Sequence, residues 1–263
     1  MNSNTERIIF NKDLSLLFPN NFRFGCEFEF YINGNNKIEI IEELKAIAKS
    51  DILINLDEIP QEEDRNKCLC LKYDSSLENS GVEISTPICS YQDLCKYIGH
   101  ISYIIDMYGT TNEDTGFHIH ISMKDKNSMD FYAFILLCNE ANLLNSWGNR
   151  NSYSLNPMNI LNYVNQKEAK KIKNKKGRVW SIERRGEAHI EIRTIGGGSY
   201  HTKVEKIYKE LDIFIKIFQQ SLEDMSKNSF YKTILTNHIK VLKETDIKKE
   251  KQFQNFIKNI NPI

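Results

Sequence analysis

The sequence predicts an α+β fold: one curved, antiparallel β-sheet of about six strands backed by helices, with a helical C-terminus. Three observations carry that expectation. Short stretches alternate apolar and polar residues with a period of two, as strands with one buried face do. They fall in pairs joined by turn residues, "SSLENSG" (75–81) being one such join, which suits hairpins. Longer segments with helical spacing lie between the pairs.

The elements follow in order. "RFGCEFEFYI" (23–32) is a strand that stops at the turn signal "NGNN", and "KIEIIEELKAIAKS" (37–50) is a helix. "NKCLCLKYD" (66–74) and "GVEISTP" (81–87) are the next two strands. "SYQDLCKYIGHISYIIDMYG" (90–109) is a helix opened by a Ser90–Asp93 capping box and stopped by Gly109. "GFHIHIS" (116–122) is a strand, and an apolar helix follows over about 127–147. Phe131, Phe134, Leu137 and Trp147 are expected in the core of that helix. Residues 165–178, "NQKEAKKIKNKKGR", form a lysine-dense surface segment. "VWSIERR" and "AHIEIRTI" pair across a Gly186 turn, and Thr202 and Glu205 cap a last helix reaching about residue 222. The whole chain, 1–263, is expected to form one domain with its core over about 22–222 and a helical extension over 223–263.

Composition excludes several classes of function. Thirty-five basic residues balance 35 acidic ones, so no net field recruits nucleic acid or an acidic membrane. The N-terminus is polar and mixed in charge, unlike a signal peptide, and no apolar run nears the ~18 residues that span a bilayer. A cytoplasmic location is therefore expected. Six cysteines are too dilute for a disulfide scaffold, and "CLC" lacks zinc-site spacing, so Cys26, Cys68 and Cys70 are expected as strand residues.

Chemistry concentrates on three strands. Alternate side chains point to opposite faces of a strand. Glu27 and Glu29 share one face, opposite Phe24, Cys26, Phe28 and Phe30; His118 and His120 stand opposite Phe117, Ile119 and Ile121; His189, Glu191 and Arg193 stand opposite Ile190 and Ile192. Two like charges at ~4 Å repel by roughly 4 kcal/mol at an effective dielectric of 20, so carboxylates gathered from these strands require cations. Carboxylates with a single imidazole suit Mg²⁺ or Mn²⁺, and neighbouring arginine suits a phosphoryl group. His-x-His alone also occurs in cupins and metal-dependent hydrolase barrels. The cupin glutamate is missing after the pair, and the pair lies too far along the chain for the barrel. His100, His201 and His238 fall outside the pattern, and "GGGS" (196–199) follows no strand–helix phosphate motif.

Taken in order, "FGCEFEF", "YDSSLENSGVEISTP", "DTGFHIHIS", "RVWSI" and "HIEIRT" resemble the glutamine synthetase superfamily, and more closely its small amidoligases. The likeness covers about residues 22–200. It implies a glutamine synthetase-like catalytic fold and an ATP- and Mg²⁺- (or Mn²⁺-) dependent ligase that joins a carboxylate to an amine through an acyl phosphate. It also implies metal positions at Glu27, Glu29, Asp74, Glu83, His118 and Glu191, with two or three ions. His120 and Arg193 match groups facing nucleotide phosphates, and Arg178 matches an arginine on the transferred phosphate. Arg184 and Arg185 offer further phosphate contacts, Glu83, Arg178 and Arg193 carry the catalytic roles, and Arg150 and Tyr153 fall at substrate-side positions. Two departures from the family pattern are Glu183, where a second arginine often follows, and His189, where arginine is common. The expected partners are a small-molecule or peptide carboxylate and an amine or ammonia. Two alternatives stay open at this point: a guanidine or amine phosphotransferase of the same fold, and a nucleotide-binding module without turnover.

Overall fold

A computed structural model describes residues 21–48, 52–54, 67–77, 81–126, 128–148, 178–181 and 188–223, with short helical pieces at 232–233 and 236–237. Among the described residues, eight strands and four helices run in the order β1 (Phe22–Ile32), α1 (Lys37–Ile47), β2 (Ile52–Ile54), β3 (Leu69–Tyr73), β4 (Gly81–Ser85), α2 (Tyr91–Tyr108) and β5 (Gly109–Thr110). There follow β6 (Gly116–Met123), α3 (Phe131–Glu140), β7 (Val179–Ser181), β8 (Ala188–Gly196) and α4 (Val204–Ser221). Short 3₁₀ turns occupy Leu143–Asn145 and Tyr200–Thr202.

All eight strands join one sheet in the order β2-β3-β4-β1-β6-β8-β7, with β5 added to β1. The six strands read from the sequence form an antiparallel run from β3 to β7, so the fold is α+β. Two short strands escaped the sequence reading. β2 pairs with β3 in parallel, which makes that edge of the sheet mixed, and β5 holds only two residues.

β1 is central because its 11 residues leave neither edge free. Glu27–Tyr31 pair with β4 on one side, and Phe22–Phe28 pair with β6 on the other. Its apolar face carries Phe24, Cys26, Phe28 and Phe30, all buried, and Phe28 packs on Phe117 of β6 with ring centroids 4.5 Å apart. Burying each such ring stabilises the fold by about 1.5–3 kcal/mol. Helices cover this face: Tyr91 of α2 stands edge-on to Phe24, Phe218 of α4 stands edge-on to Phe22, and Phe134 of α3 stacks on Phe214 of α4. Tyr208 of α4 donates to the Cys95 carbonyl of α2 and ties the two long helices together.

The helix ends obey local chemistry with three corrections. Ser90 caps α2 as expected, its Oγ accepting from the Asp93 amide at 3.2 Å. Gly109 ends α2 in extended backbone, so left-handed freedom is not its reason. A Cβ there would meet Phe30 Cδ2 at 2.6 Å and the Tyr31 carbonyl at 3.0 Å, so glycine is needed for the close approach of β5 to β1. The apolar helix expected over 127–147 is shorter: Asp130 caps α3 by accepting from the Ala133 amide, and the segment breaks at Ala141 into the 3₁₀ turn. Thr202 does not cap α4. Its hydroxyl donates back to the Ser199 carbonyl, and Lys203 holds the N-cap position without a side-chain bond. Among the described residues no helix is long and apolar enough to cross a membrane. The lysine-dense stretch before Arg178, the Gly186 turn, His238 and nearly all of the C-terminal extension lie outside the described residues.

Candidate functional site

The register turns three separate polar alternations into one surface. Glu27 of β1 lies opposite His118 of β6, Gly25 opposite His120, and His120 opposite Glu191 of β8. On the other side of β1, Glu29 lies opposite Glu83 of β4, and Glu83 opposite Lys72 of β3. Directly opposed residues on one face of an antiparallel pair put their Cβ atoms about 4.5–5.5 Å apart, so these side chains meet. A bulge adjusts the fit. β8 uses three steps from Ile192 to Ile195 where β6 uses two from Phe117 to Ile119, which sets Arg193 and Thr194 against His118.

His118 is the hub. Its Nδ1 lies 3.0 Å from Glu27 Oε2 and 3.7 Å from Glu191 Oε1, and its Nε2 lies 3.3 Å from Glu29 Oε1. His120 Nε2 stands 3.4 Å from Glu27 Oε1, and its Nδ1 stands 3.3 Å from His189 Nε2. Arg193 Nη1 donates to Glu191 Oε1 at 2.6 Å, and Lys72 Nζ lies 2.8 Å from Glu83 Oε1. His118, Glu29, Glu83 and Glu191 are buried, whereas Glu27 keeps a quarter of its side chain exposed, at 26%. The cluster therefore opens to solvent at Glu27.

Charge and burial pull against each other here. Burial pushes the Glu27 carboxyl up, but hydrogen bonds and positive charge from His118 and His120 outweigh it and hold the group well below the usual carboxylate range. Glu83 is driven the other way, to about 7, by burial and then by the negative charge of Glu27, with Lys72 opposing. Burial lowers His120, yet the hydrogen bond and charge of Glu27, followed by Glu191 and Glu83, raise it overall. Arg193 is likewise raised by Glu191 against its own burial.

Glu27, His118 and Glu191 each offer a ligand atom within 4.8 Å of the others, a set that can hold a metal ion. Two carboxylates and one imidazole suit Mg²⁺ or Mn²⁺ better than zinc. A second observation fits a bound cation with its own solvent shell. Ser85, opposite Glu27 on the same face, buries its Oγ without any hydrogen-bond partner. Buried hydroxyls are normally bonded.

Not every expected site residue joins the cluster. Asp74, expected as a ligand, sits half-buried past the end of β3, and its Oδ1 accepts from the Ser76 amide and hydroxyl at 2.8 and 2.7 Å. That Asx turn uses the carboxylate to start the β3–β4 connection. Arg178, expected on the transferred phosphate, is buried, and its Nη1 donates to the Leu144 carbonyl and to Asn145 Oδ1 at 2.6 Å. Burial also lowers its guanidinium. That nitrogen secures the turn after α3 and is withdrawn from phosphate binding. Arg150, Tyr153, Arg184 and Arg185 lie outside the described residues.

Several residues expected to be structural are so. Cys26 and Cys70 are buried strand residues, with burial pushing the Cys26 thiol up, whereas Cys68, expected in the strand too, is half-buried and precedes β3. His201 is buried against Thr111, and His100 bonds its own helix. The "GGGS" turn has its amides engaged, Gly198 with Glu113 Oε1 and Ser199 with Thr111 Oγ1, so it cradles no phosphate. Trp147, expected in the core of the helix, is instead half-buried beyond the 3₁₀ turn, with Lys206 over its ring at 4.1 Å and its indole N–H on Glu210. Sequence reasoning missed Lys72 and Ser85. Lys72 had a signal: it is the one charged residue inside an otherwise uncharged strand, in period with the acidic face of the next hairpin strand.

No known family model matches the chain and no curated protein aligns with it, so the likeness to the amidoligases stands on the quoted motifs.

Proposed function

We propose that the chain is an ATP- and Mg²⁺- (or Mn²⁺-) dependent carboxylate–amine ligase of the amidoligase type, built on a glutamine synthetase-like sheet. One observation carries the reading: Glu27, His118 and Glu191 converge from three strands on one face, with Glu29, Glu83 and Arg193 beside them. A divalent ion held by Glu27, His118 and Glu191 would supply the charge neutralisation that phosphoryl transfer needs. Arg193 is locked on Glu191 and presents a permanent positive charge next to the ligands, suited to phosphate oxygens. His120, held between Glu27 and His189, faces the same space. In the reaction, the γ-phosphoryl of ATP passes to the substrate carboxylate, releasing ADP. An amine then displaces phosphate from the acyl phosphate and forms the amide. No enzyme nucleophile is needed, consistent with the burial of Cys26, Cys70 and Cys138. A cytoplasmic site of action suits both the ATP requirement and six cysteines held as thiols.

The test is a hydroxamate screen: purified protein, ATP, Mg²⁺, hydroxylamine and a panel of amino acids and peptides. ADP release with a hydroxamate product is expected from at least one carboxylate. The double variant Glu27→Gln, Glu29→Gln should keep its fold and lose metal-dependent ATP binding; nucleotide affinity surviving that change intact would remove the assigned roles. A stable phosphoguanidine in place of an amide would move the chain to the phosphotransferases.

A further inference from the structure

Lys72 stands where the glutamine synthetase-like pattern would lead one to expect only metal and acid. It lies on β3, opposite Glu83 in the β3–β4 pair, and its ammonium reaches Glu83 Oε1 at 2.8 Å. Both side chains are largely shielded, at 19% and 9% exposure. On the far flank of the cluster Arg193 does the same to Glu191 at 2.6 Å. A permanent cation of the chain itself therefore closes each end of the carboxylate row.

The charge count is then specific. Glu27, Glu29, Glu83 and Glu191 supply four negative charges, and Lys72 and Arg193 supply two positive ones. Before any imidazole is protonated, two negative charges remain, which one divalent ion neutralises, and a protonated imidazole only lessens the demand for a second. A second ion at Glu83 would leave the buried cluster with excess positive charge and would face the Lys72 ammonium at close range, an arrangement strongly disfavoured away from bulk water. Asp74 adds no oxygen there, because its Oδ1 is bound into its turn with Ser76, and Glu83 Oε1 already meets the Lys72 ammonium.

We propose that this centre holds one divalent cation, on Glu27, His118 and Glu191, and that the Lys72 ammonium takes the place of a second ion at Glu83. The inference rests on the cation site of the reading above but not on the ligase reaction. Lys72 is thus a positioning residue: it fixes Glu83 and sets the number of ions.

The experiment is Mn²⁺ binding to the full chain without nucleotide, followed by calorimetry and by the electron paramagnetic resonance signal of free Mn²⁺. One tight equivalent is expected for the unaltered protein. Lys72→Met should bind a second equivalent, at least tenfold tighter than any weak binding before the change, and Lys72→Met with Glu83→Gln should return to one. Should Lys72→Met fail to fold, Glu83→Gln alone decides: it should keep the single equivalent with affinity within about threefold. Two comparable equivalents in the unaltered protein, an unchanged count in folded Lys72→Met, or a Glu83→Gln loss as large as that of Glu27→Gln would each overturn the inference. Absence of any Mn²⁺ binding would overturn it together with the cation site. One bound equivalent with no hydroxamate product would leave it standing and remove only the ligase reading.

Discussion

His118 and Glu27 face each other across the β1–β6 pair, with His118 Nδ1 3.0 Å from Glu27 Oε2. The same ring turns its other nitrogen to Glu29 Oε1 at 3.3 Å, so each imidazole nitrogen has a carboxylate beside it. A neutral imidazole carries one N–H and one lone pair. It can donate to only one of those oxygens and sets a lone pair against the other. A protonated ring would donate to both oxygens, and a metal ion would take the place of one of those protons, which ties the Glu27–His118 contact to ion binding.

Glu27→Gln keeps the volume of the side chain and removes its charge. The apolar face of β1 is untouched, so thermal unfolding should change by only a few degrees. Mn²⁺ affinity should fall by about 100-fold, at or above what loss of a merely supporting group costs a metal site. Calorimetric titration of both proteins checks this, and equal affinities would exclude Glu27 as a ligand.

The pH dependence of the metal-free protein follows from Glu83 and His120. The unfolded Glu83 carboxyl titrates near 4.5 and the folded one near 7, so between these values the folded state binds the proton more tightly and stability falls as pH rises. His120, raised above 6.5, acts in the same direction above that pH. For one group the slope reaches about 1.4 kcal/mol per pH unit at most. The unfolding temperature without metal should therefore be lower at pH 7.5 than at pH 5, and Mn²⁺ should restore it more at pH 7.5. Glu27, held low, has the opposite sign, and its contribution is lost only as pH drops below about 4.5. A metal-free profile that rises steadily from pH 5 to 7.5 would contradict the burial of Glu83.

Much of this arrangement was legible in the sequence because period two is a local property. Glu27/Glu29, His118/His120 and Glu191/Arg193 each announce a face without knowledge of the partner strand. Which faces adjoin is not local, and only the register puts Glu83 between Lys72 and Glu29. Asp74 and Arg178 bond away from the cluster for a shared reason. Each lies at the end of a strand, where the alternation stops constraining the side chain, and each found a backbone or turn partner instead. β2 and β5 are too short to show a period, and β5 exists because Gly109 lets α2 end against β1.

Arg178→Met should act on stability before it acts on nucleotide. The change takes the Arg178 donor from the carbonyl of buried Leu144, a cost of about 1–3 kcal/mol, and one hydrogen bond from exposed Asn145. Chemical denaturation should show that loss, while Mn²⁺ affinity stays within about threefold because Arg178 touches none of Glu27, His118 and Glu191. A stable variant with weakened ATP binding would return Arg178 to the phosphate site.

Tyr200 supports the site from behind the sheet. It is fully buried, its hydroxyl donates to the Glu29 carbonyl at 2.9 Å, and its ring stacks near Phe117, the neighbour of His118. Tyr200→Phe removes only the hydrogen bond and should cost about 1 kcal/mol, with Mn²⁺ affinity nearly unchanged. Tyr200→Ala removes the ring as well, costing about 3–5 kcal/mol, the range for large aromatic truncations in cores. It should also weaken Mn²⁺ binding several-fold, because β1 at Glu29 and β6 at Phe117 lose a shared prop on the apolar side. Denaturation and Mn²⁺ titration of the two variants separate the bond from the packing. If Tyr200→Ala folds and binds Mn²⁺ as the unaltered protein does, the strand register alone fixes the ligands and the core behind them plays no part.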